Sequence, residues 1–303
     1  MQKENNNELK IFVPKEFNFN ENLKYLSRAP NECLFHIKNQ RLYKALPIEE
    51  ETLLIEISAD HENVMTIRFI GDTTPSCERI RDAVVRYVRD WFDLDRDLLP
   101  FYEMAKTDVL LNGAVGSFYG LRLMGIPDLF EAICWGIIGQ QINLTFAYTL
   151  KRRLVESFGR RIEYDGDDFW IFPTPNDIAA LAVEDLAGLR MTVKKCEYLI
   201  DVAQLIVEGK LTKMQLLNAG NVKNAEKMLI KIRGIGPWTA NYVLMRCLRY
   251  LSAFPIDDVG LHNALKHLMG TENKPTKEEI GRLAANWTGW ESYATFYLWR
   301  FLY

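Results

Sequence analysis

The 303-residue chain has few cysteines, and their positions exclude the usual cysteine-based frameworks. The five are scattered without a C-x-x-C spacing: Cys33, Cys77, Cys134, Cys196 and Cys247. An odd, dispersed set is typical of reduced intracellular thiols rather than of disulfides or a zinc site. A chain of this length buries a full core without such staples.

Long apolar runs are also missing. No stretch reaches the ~20 apolar residues that span a bilayer. The first ten residues, MQKENNNELK, are polar and do not resemble a signal peptide. We therefore expect a cytoplasmic protein without membrane contact.

The sequence also lacks an excess of basic residues. Lys and Arg number 37 against 40 Asp and Glu, which gives a net charge of -3 and a pI of about 5.9. Nucleic-acid binders are usually basic. A nucleic-acid-binding function would therefore need a local site in which backbone N–H groups contact phosphate.

The N-terminal part predicts a sheet. Short runs rich in β-branched and aromatic residues alternate in polarity between polar turns: CLFHIKNQRLYKAL (33–46), TLLIEIS (52–58) and VMTIRFI (64–70). This pattern predicts an antiparallel sheet with one face in solvent. The stretch 77–93 then has apolar residues at helical spacing. We assign residues 1–110 to an N-terminal domain of antiparallel sheet plus helix.

From about residue 100 onward the pattern is almost entirely helical, with breaks at Gly139-Gln140 and near Gly188. There is no repeat of fixed period. We assign residues 111–303 to a helical body. The predicted fold class is α+β, a sheet with a helix followed by helices.

One break in the helical body has a special composition. In IRGIGPWTA (232–240), two glycines and a proline separate two helices. Gly234 and Gly236 permit positive φ or close approach of another backbone, and Pro237 suits the first turn of a helix. The free N–H groups there form an anion site without Lys or Arg. A tight αα-hairpin packed for its own sake is the alternative, and the glycine spacing alone favours it.

Asp258, in AFPIDDVGLHNAL (253–265), lies twenty residues after Trp238. With this spacing the chain resembles the helix-hairpin-helix base-excision DNA glycosylases, and in particular their alkylation-repair branch, the DNA-3-methyladenine glycosylase II type. The resemblance covers most of residues 127–300 in the family's order, through FEAICWGIIGQQI, IFPTPNDIAALAVEDLAGLRMTVKKCEYLI, IRGIGPWTANYVLMR, FPIDDVGLHNAL and NWTGWESYATFYLW.

The resemblance implies a catalytic residue and a pocket. Asp258 takes the position of the catalytic aspartate, which opens the next helix and stabilises positive charge on the sugar. Its neighbour Asp257 is expected to be a cap or turn residue. Trp238, Tyr242 and Trp290 take the aromatic pocket positions, where a cationic alkylated purine gains roughly 0.5–2 kcal/mol over a ring face.

Most aromatic residues at helical spacing belong to a core, and we assign Trp287, Phe296 and Trp299 to it. Gln141 takes the family's position for the residue that fills the gap left by a flipped nucleotide. The best-known members carry an apolar residue there, so a polar loop tip is an equal alternative for Gln141. The other DNA contacts implied by the resemblance are Gln140, Gly234, Gly236 and Thr239.

The resemblance also bears on cofactors. It implies a structural monovalent cation, bridging to DNA phosphate, on the main-chain carbonyls of Ile230, Ile232 and Ile235. Bifunctional relatives carry a lysine nucleophile where this chain has Trp238, so no Schiff base and no β-lyase activity are expected. Iron–sulfur relatives have four cysteines after the catalytic aspartate, whereas none follows Cys247 here. No iron–sulfur cluster is expected.

The function implied is that of a monofunctional DNA glycosylase, which flips out and excises alkylated purines such as 3-methyladenine and 7-methylguanine from damaged double-stranded DNA in base excision repair. A monomer is expected, associated with the nucleoid if the source is bacterial. A glycosylase for deaminated or oxidised bases is an open alternative, because an aromatic pocket serves many purines. A non-catalytic helix-hairpin-helix DNA-binding protein is disfavoured by Asp258. A helical protein-interaction domain is favoured by the acidic pI and disfavoured by the combined motifs.

Overall fold

A computed structural model describes residues 7–61 and 63–302, so residues 1–6, Glu62 and Tyr303 of the two predicted domains lie outside the described residues. The N-terminal part is an antiparallel five-stranded sheet of order β1-β5-β4-β3-β2. Its strands are β1 (Glu8–Phe12), β2 (His36–Lys38), β3 (Arg41–Ile48), β4 (Glu51–His61) and β5 (Val64–Phe69). The predicted sheet is confirmed, and it contains one strand, β1, that the sequence analysis did not predict.

The run 33–46 folds as two strands. Asn39 and Gln40 have φ of 50° and 59°, the left-handed pair that closes a two-residue hairpin. Across the β3–β4 ladder Leu42 lies opposite Ile57, and Leu46 lies opposite Leu53. These side chains face the core and pack against the helix predicted at 77–93.

The other face of the sheet is partly covered, which corrects the expectation of a solvent-exposed face. A hairpin of β6 (Arg160–Tyr164) and β7 (Asp167–Ile171) interrupts the helical body. Phe169 and Ile171 of β7 pack against Ala45 and Leu54 of the sheet.

The remaining elements are helices. The N-terminal half contains α1 (Phe19–Leu26), α2 (Glu78–Trp91), α3 (Leu99–Thr107) and α4 (Val109–Ser117). The body continues with α5 (Leu129–Ile138), α6 (Leu144–Phe158), α7 (Pro175–Ala179), α8 (Val193–Val207), α9 (Lys213–Leu217), α10 (Val222–Ile230), α11 (Pro237–Arg246), α12 (Val259–Met269), α13 (Lys277–Ala284) and α14 (Glu291–Trp299). Short 3-10 helices cover Val183–Leu189, Ala285–Trp287 and Arg300–Leu302.

One hydrophobic core connects the sheet to the helices. It extends from Ile11 in β1 to Trp299 in α14. The apolar face of α2 joins it through Ile80, Val84 and Val88. The domain division at residues 110 and 111 stays a prediction. Within the described residues, none of the helices has the length and apolar character needed to cross a bilayer.

Candidate active site

The hairpin between α10 and α11 depends on one of its two glycines. Gly234 has a φ of 87°, and a Cβ built on it would lie 2.3 Å from the ring of Tyr198 in α8. Gly236, the N-cap of α11, has an ordinary φ of -89° and no atom within 4 Å of its Cβ direction. The fold therefore requires glycine at 234, whereas Gly236 leaves open space beside the start of α11.

The loop between α5 and α6 is attached to this hairpin. Nε2 of Gln140 donates to the carbonyl of Gly234 at 2.8 Å and to Oγ1 of Thr239 at 3.0 Å. A Cβ on Gly136 would come within 2.6 Å of Cγ2 of Thr239, so the backbone of α5 packs directly against the Thr239 side chain of α11. Three of the predicted DNA-contact residues, Gln140, Gly234 and Thr239, thus meet here, but Gln140 uses its amide donors inside the protein and Thr239 is buried.

Gln141, unlike Gln140, has a side chain that is available to DNA. Its side chain is exposed, and its φ of 57° lies in the left-handed region. Lys195, which the sequence did not single out, holds the same loop from α8, since Nζ donates to the carbonyls of Ile138 and Gln140 at 2.8 Å each. Burial lowers the pKa of Lys195.

Asp258 is the N-cap of α12 and is 9% exposed. Its Oδ1 accepts from the backbone N–H of Leu261 at 2.7 Å and from Nε1 of Trp299 at 2.8 Å. Its Oδ2 accepts from Nε1 of Trp238 at 2.8 Å. A Cβ on Gly260 would lie 2.8 Å from Oδ1, so glycine there leaves room for the carboxylate. Three N–H donors thus fix both carboxylate oxygens.

Asp257 lies in the turn before α12, which is one of the two roles expected for it. The cap of α12 is Asp258, whereas Asp257 forms an ion pair with Lys277 at the start of α13. The cap at Asp258 is also the group predicted to be catalytic, so both roles fall on one side chain.

The two indoles that bond the carboxylate both lie beside the ring of Tyr242. Trp238 stacks on Tyr242 with centroids 5.6 Å apart and an interplanar angle of 29°. Tyr242 lies 6.4 Å from Trp299. Trp290 instead packs against Phe101 and Tyr293, at 5.7 and 5.8 Å. The tryptophan of α14 that bonds Asp258 is Trp299, which also lies in the core as the sequence predicted.

Arg246, at the end of α11, is a further residue that the sequence did not identify. It is 5% exposed, and its Nε donates to the carbonyl of Met124 at 2.6 Å while Nη1 donates to the Tyr242 hydroxyl at 2.9 Å. Burial raises the pKa of Tyr242, and the nearby Arg246 opposes that rise. Tyr242 is thus a neutral phenol whose hydroxyl accepts a hydrogen bond from a buried guanidinium.

The carbonyls predicted to bind a cation lie in the hairpin region. That of Ile232 accepts the N–H of Ile235 at 3.1 Å. Ile230, the last residue of α10, is 39% exposed. Cation binding at these three residues stays a prediction. Beside them, Arg233 is ion-paired with Glu197 and Asp201 of α8.

Comparison with known proteins gives the family. Residues 134–289 match the model of the HhH-GPD superfamily base excision DNA repair proteins, and residues 10–133 match the 8-oxoguanine DNA glycosylase N-terminal domain. The chain belongs to the HhH-GPD superfamily of base excision DNA repair proteins.

Two curated relatives agree with this assignment, and one solved structure shares the fold. The chain is 52% identical to a DNA-3-methyladenine glycosylase of Bacillus subtilis over 298 residues, which is 98% of each chain. It is 34% identical to DNA-3-methyladenine glycosylase 2 of Escherichia coli over 194 residues, 63% of this chain and 65% of that one. The 3-methyladenine DNA-glycosylase structure from Archaeoglobus fulgidus superposes with a TM-score of 0.82 at 23% identity, covering 96% and 97% of the two chains. This last likeness is one of fold.

Proposed function

We propose that the protein is a DNA glycosylase that excises alkylated purines, such as 3-methyladenine and 7-methylguanine, from damaged double-stranded DNA. The observation that carries this proposal is the Asp258 carboxylate, held by Trp238, Trp299 and the start of α12 beside the stacked Trp238–Tyr242 pair. The names of the curated relatives point to the same substrate class.

The chemistry is hydrolysis of the N-glycosidic bond. The electron pair of the C1′–N bond leaves with the base, and the sugar becomes oxocarbenium-like. A carboxylate in a site shielded from solvent stabilises that charge far more than it would in water. Water then adds its hydroxyl to C1′, and its proton is released. A purine alkylated on a ring nitrogen leaves as a neutral base and needs no strong acid.

The aromatic rings of Trp238 and Tyr242 determine which bases the proposed pocket accepts. A cationic base gains attraction over the faces of Trp238 and Tyr242, and such a pocket recognises charge and shape more than hydrogen-bond pattern. Deaminated and oxidised purines are therefore the alternative substrates of the same site. We also propose that Trp290 contributes to the pocket less directly than Trp299, because its ring contacts are with Phe101 and Tyr293.

The DNA backbone is expected at the open side of Gly236, where the first N–H groups of α11 are available to phosphate. Gln141 is the candidate wedge, being exposed and next to the hairpin. Trp238 occupies the position of the lysine nucleophile of bifunctional relatives, so the proposal includes base release without strand cleavage. It also includes a monomer in the cytoplasm or nucleoid, without an iron–sulfur cluster.

The test is base release from methylated duplex DNA by the wild type and by Asp258→Asn. We expect free methylated purine and an intact abasic strand from the wild type, and at least a hundredfold slower release by the variant. Asp257→Asn is the matched control, because it removes a neighbouring carboxylate whose ion pair is with Lys277. Equal release by wild type and Asp258→Asn would contradict the role of Asp258, and an adduct trapped by borohydride would contradict the absence of lyase activity.

A further inference from the structure

Arg246 carries a buried positive charge that is not balanced by an ion pair. Within residues 7–61 and 63–302 its side chain forms no salt bridge, and its donors go to a carbonyl and a phenol. Two other arginines near the core have carboxylate partners: the buried Arg122 pairs with Glu16, and the half-buried Arg249 pairs with Asp90. An uncompensated buried charge is unfavourable for folding. Its position next to the candidate base pocket indicates a function.

The surroundings of Arg246 stabilise a cation and keep it in place. Its guanidinium carbon lies 5.4 Å from the ring centre of Tyr242, 5.6 Å from that of Phe296 and 5.8 Å from that of Tyr25. A cavity of about 50 Å³ adjoins Tyr242 and Arg246, and its lining contains four basic and two acidic side chains. The inner side of Tyr242 is therefore an electropositive region.

The opposite charge lies at the other end of a short chain of contacts. Arg246 bonds the hydroxyl of Tyr242, Tyr242 stacks on Trp238, and the indole of Trp238 bonds Asp258. A flipped nucleotide with its sugar at Asp258 and its base at the Tyr242 ring has a carboxylate at the sugar end and a guanidinium at the base end. Glycosidic cleavage moves an electron pair from the sugar to the base, which is the direction that these two charges favour.

We infer that Arg246 is a specificity-determining residue that favours uncharged purines over cationic ones. This inference rests on the proposed function. A neutral purine gains negative charge as it departs, and Arg246 stabilises that charge. A cationic purine is repelled by Arg246 when it binds, and the repulsion weakens only as its charge passes to the sugar. The aromatic rings attract cationic bases, and Arg246 extends the substrate range toward deaminated or oxidised purines.

The experiment compares two substrates on one enzyme preparation. Single-turnover kcat/KM is measured for duplexes that contain either 7-methylguanine, which is cationic, or hypoxanthine, which is neutral. Arg246→Met removes the charge but keeps much of the apolar stem, and Arg246→Lys keeps the charge. We expect the ratio of 7-methylguanine to hypoxanthine excision to rise about tenfold or more in Arg246→Met, and to stay within about threefold of wild type in Arg246→Lys.

The ratio also guards against misfolding, because any loss of folded protein affects both substrates equally. Arg246→Gln is a second uncharged variant, which retains a donor for the Met124 carbonyl. Arg249→Met is the matched control, since it removes a charge that Asp90 already neutralises, and we expect it to leave the ratio unchanged. An unchanged ratio in both uncharged variants overturns the role of Arg246. A wild type that releases neither base overturns the proposed function instead.

Discussion

Nε1 of Trp299 donates a 2.8 Å hydrogen bond to Oδ1 of Asp258, although 41 positions separate the two residues. The bond joins the end of α14 to the first turn of α12. Together with Trp238 it gives each carboxylate oxygen an indole donor. The direction of the carboxylate is therefore set by two helices other than the one it caps.

Trp299→Phe is expected to slow base release while leaving the ring in place. The variant removes one hydrogen bond to a charged group, which is worth about 1.5–3 kcal/mol, so the single-turnover rate should fall about 10- to 100-fold. Binding to an abasic-site duplex should change little, because the ring remains. Trp287→Phe is the control. Its indole N–H donates a 2.9 Å hydrogen bond to Asp108, and this bond lies away from the site. Equal effects of the two variants on the rate would argue against a role for Trp299 beyond packing.

Gly234→Ala and Gly236→Ala distinguish two hypotheses for the hairpin, namely that it binds DNA and that it has only a structural role. Gly234→Ala meets the Tyr198 ring at a positive φ and should lose about 1–3 kcal/mol of stability. Gly236→Ala has open space around it and should keep wild-type stability but bind DNA about tenfold more weakly, because phosphate needs the backbone exposed there. Thermal unfolding and fluorescence anisotropy measure the two effects. Normal DNA affinity of Gly236→Ala would favour the purely structural hairpin.

Gln140 and Gln141 are adjacent but should respond differently to alanine. Gln140→Ala leaves the Gly234 carbonyl and Thr239 without a donor and should cost about 1–3 kcal/mol of stability. Gln141→Ala should change stability by less than about 0.5 kcal/mol. If Gln141 is the wedge, excision should fall more for a paired lesion than for a mismatched one, since a mismatch lowers the cost of flipping. The same loss on both substrates would favour the polar loop tip.

The buried pair Lys151–Glu32 predicts a loss of stability in acid. Burial raises the pKa of Glu32, but Lys151, at 3.1 Å, and the Leu34 N–H lower it more, so the net shift is downward. A lowered pKa means that this stabilisation is present above the ordinary value of 4.5 and is lost as the pH falls below it. The pKa of Lys151 is raised, so the stabilisation that depends on its positive charge is lost only above its ordinary pKa of 10.5.

Glu32→Gln removes one of the two carboxylate partners of Lys151, since Glu131 remains at 3.1 Å. The variant should therefore cost about 1.5–3 kcal/mol at pH 7 and much less near pH 3, as measured by urea unfolding across that range. Glu156→Gln, which breaks an exposed pair with Arg152, should cost at most about 1 kcal/mol at neutral pH. A penalty for Glu32→Gln that stays constant with pH would show that Lys151 does not depend on the Glu32 charge.

Local patterns were sufficient for most of the fold. The sheet, α2 and the helices on both sides of the hairpin follow from periodicity and from glycine and proline positions. The first strand was missed because it is only five residues long and directly follows a polar run, so its alternation of Glu8, Leu9, Lys10 and Ile11 is a short signal. The β6–β7 hairpin has a sequence signal in Asp165-Gly166, with φ of 51° and 77°, which the helical assignment overlooked.

The site was less predictable, because its contacts join distant parts of the chain. Asp258 and Trp238 were identified through family spacing, but the bond between them is a property of the fold. The choice between Trp290 and Trp299 could not come from periodicity, since α14 is buried from Ser292 to Trp299 and shows no polar face. Arg246 looks like a basic residue in a last helical turn, and only its burial marks it as unusual.

The missing side chain at Gly136 has a mechanical consequence. Because the backbone of α5 packs directly on Thr239 of α11 and Gln140 bonds both Gly234 and Thr239, the loop after α5 and the hairpin before α11 are mechanically coupled. Strain introduced at one is borne by the other. If both segments contact DNA as proposed, we expect the duplex rather than the protein to deform on binding.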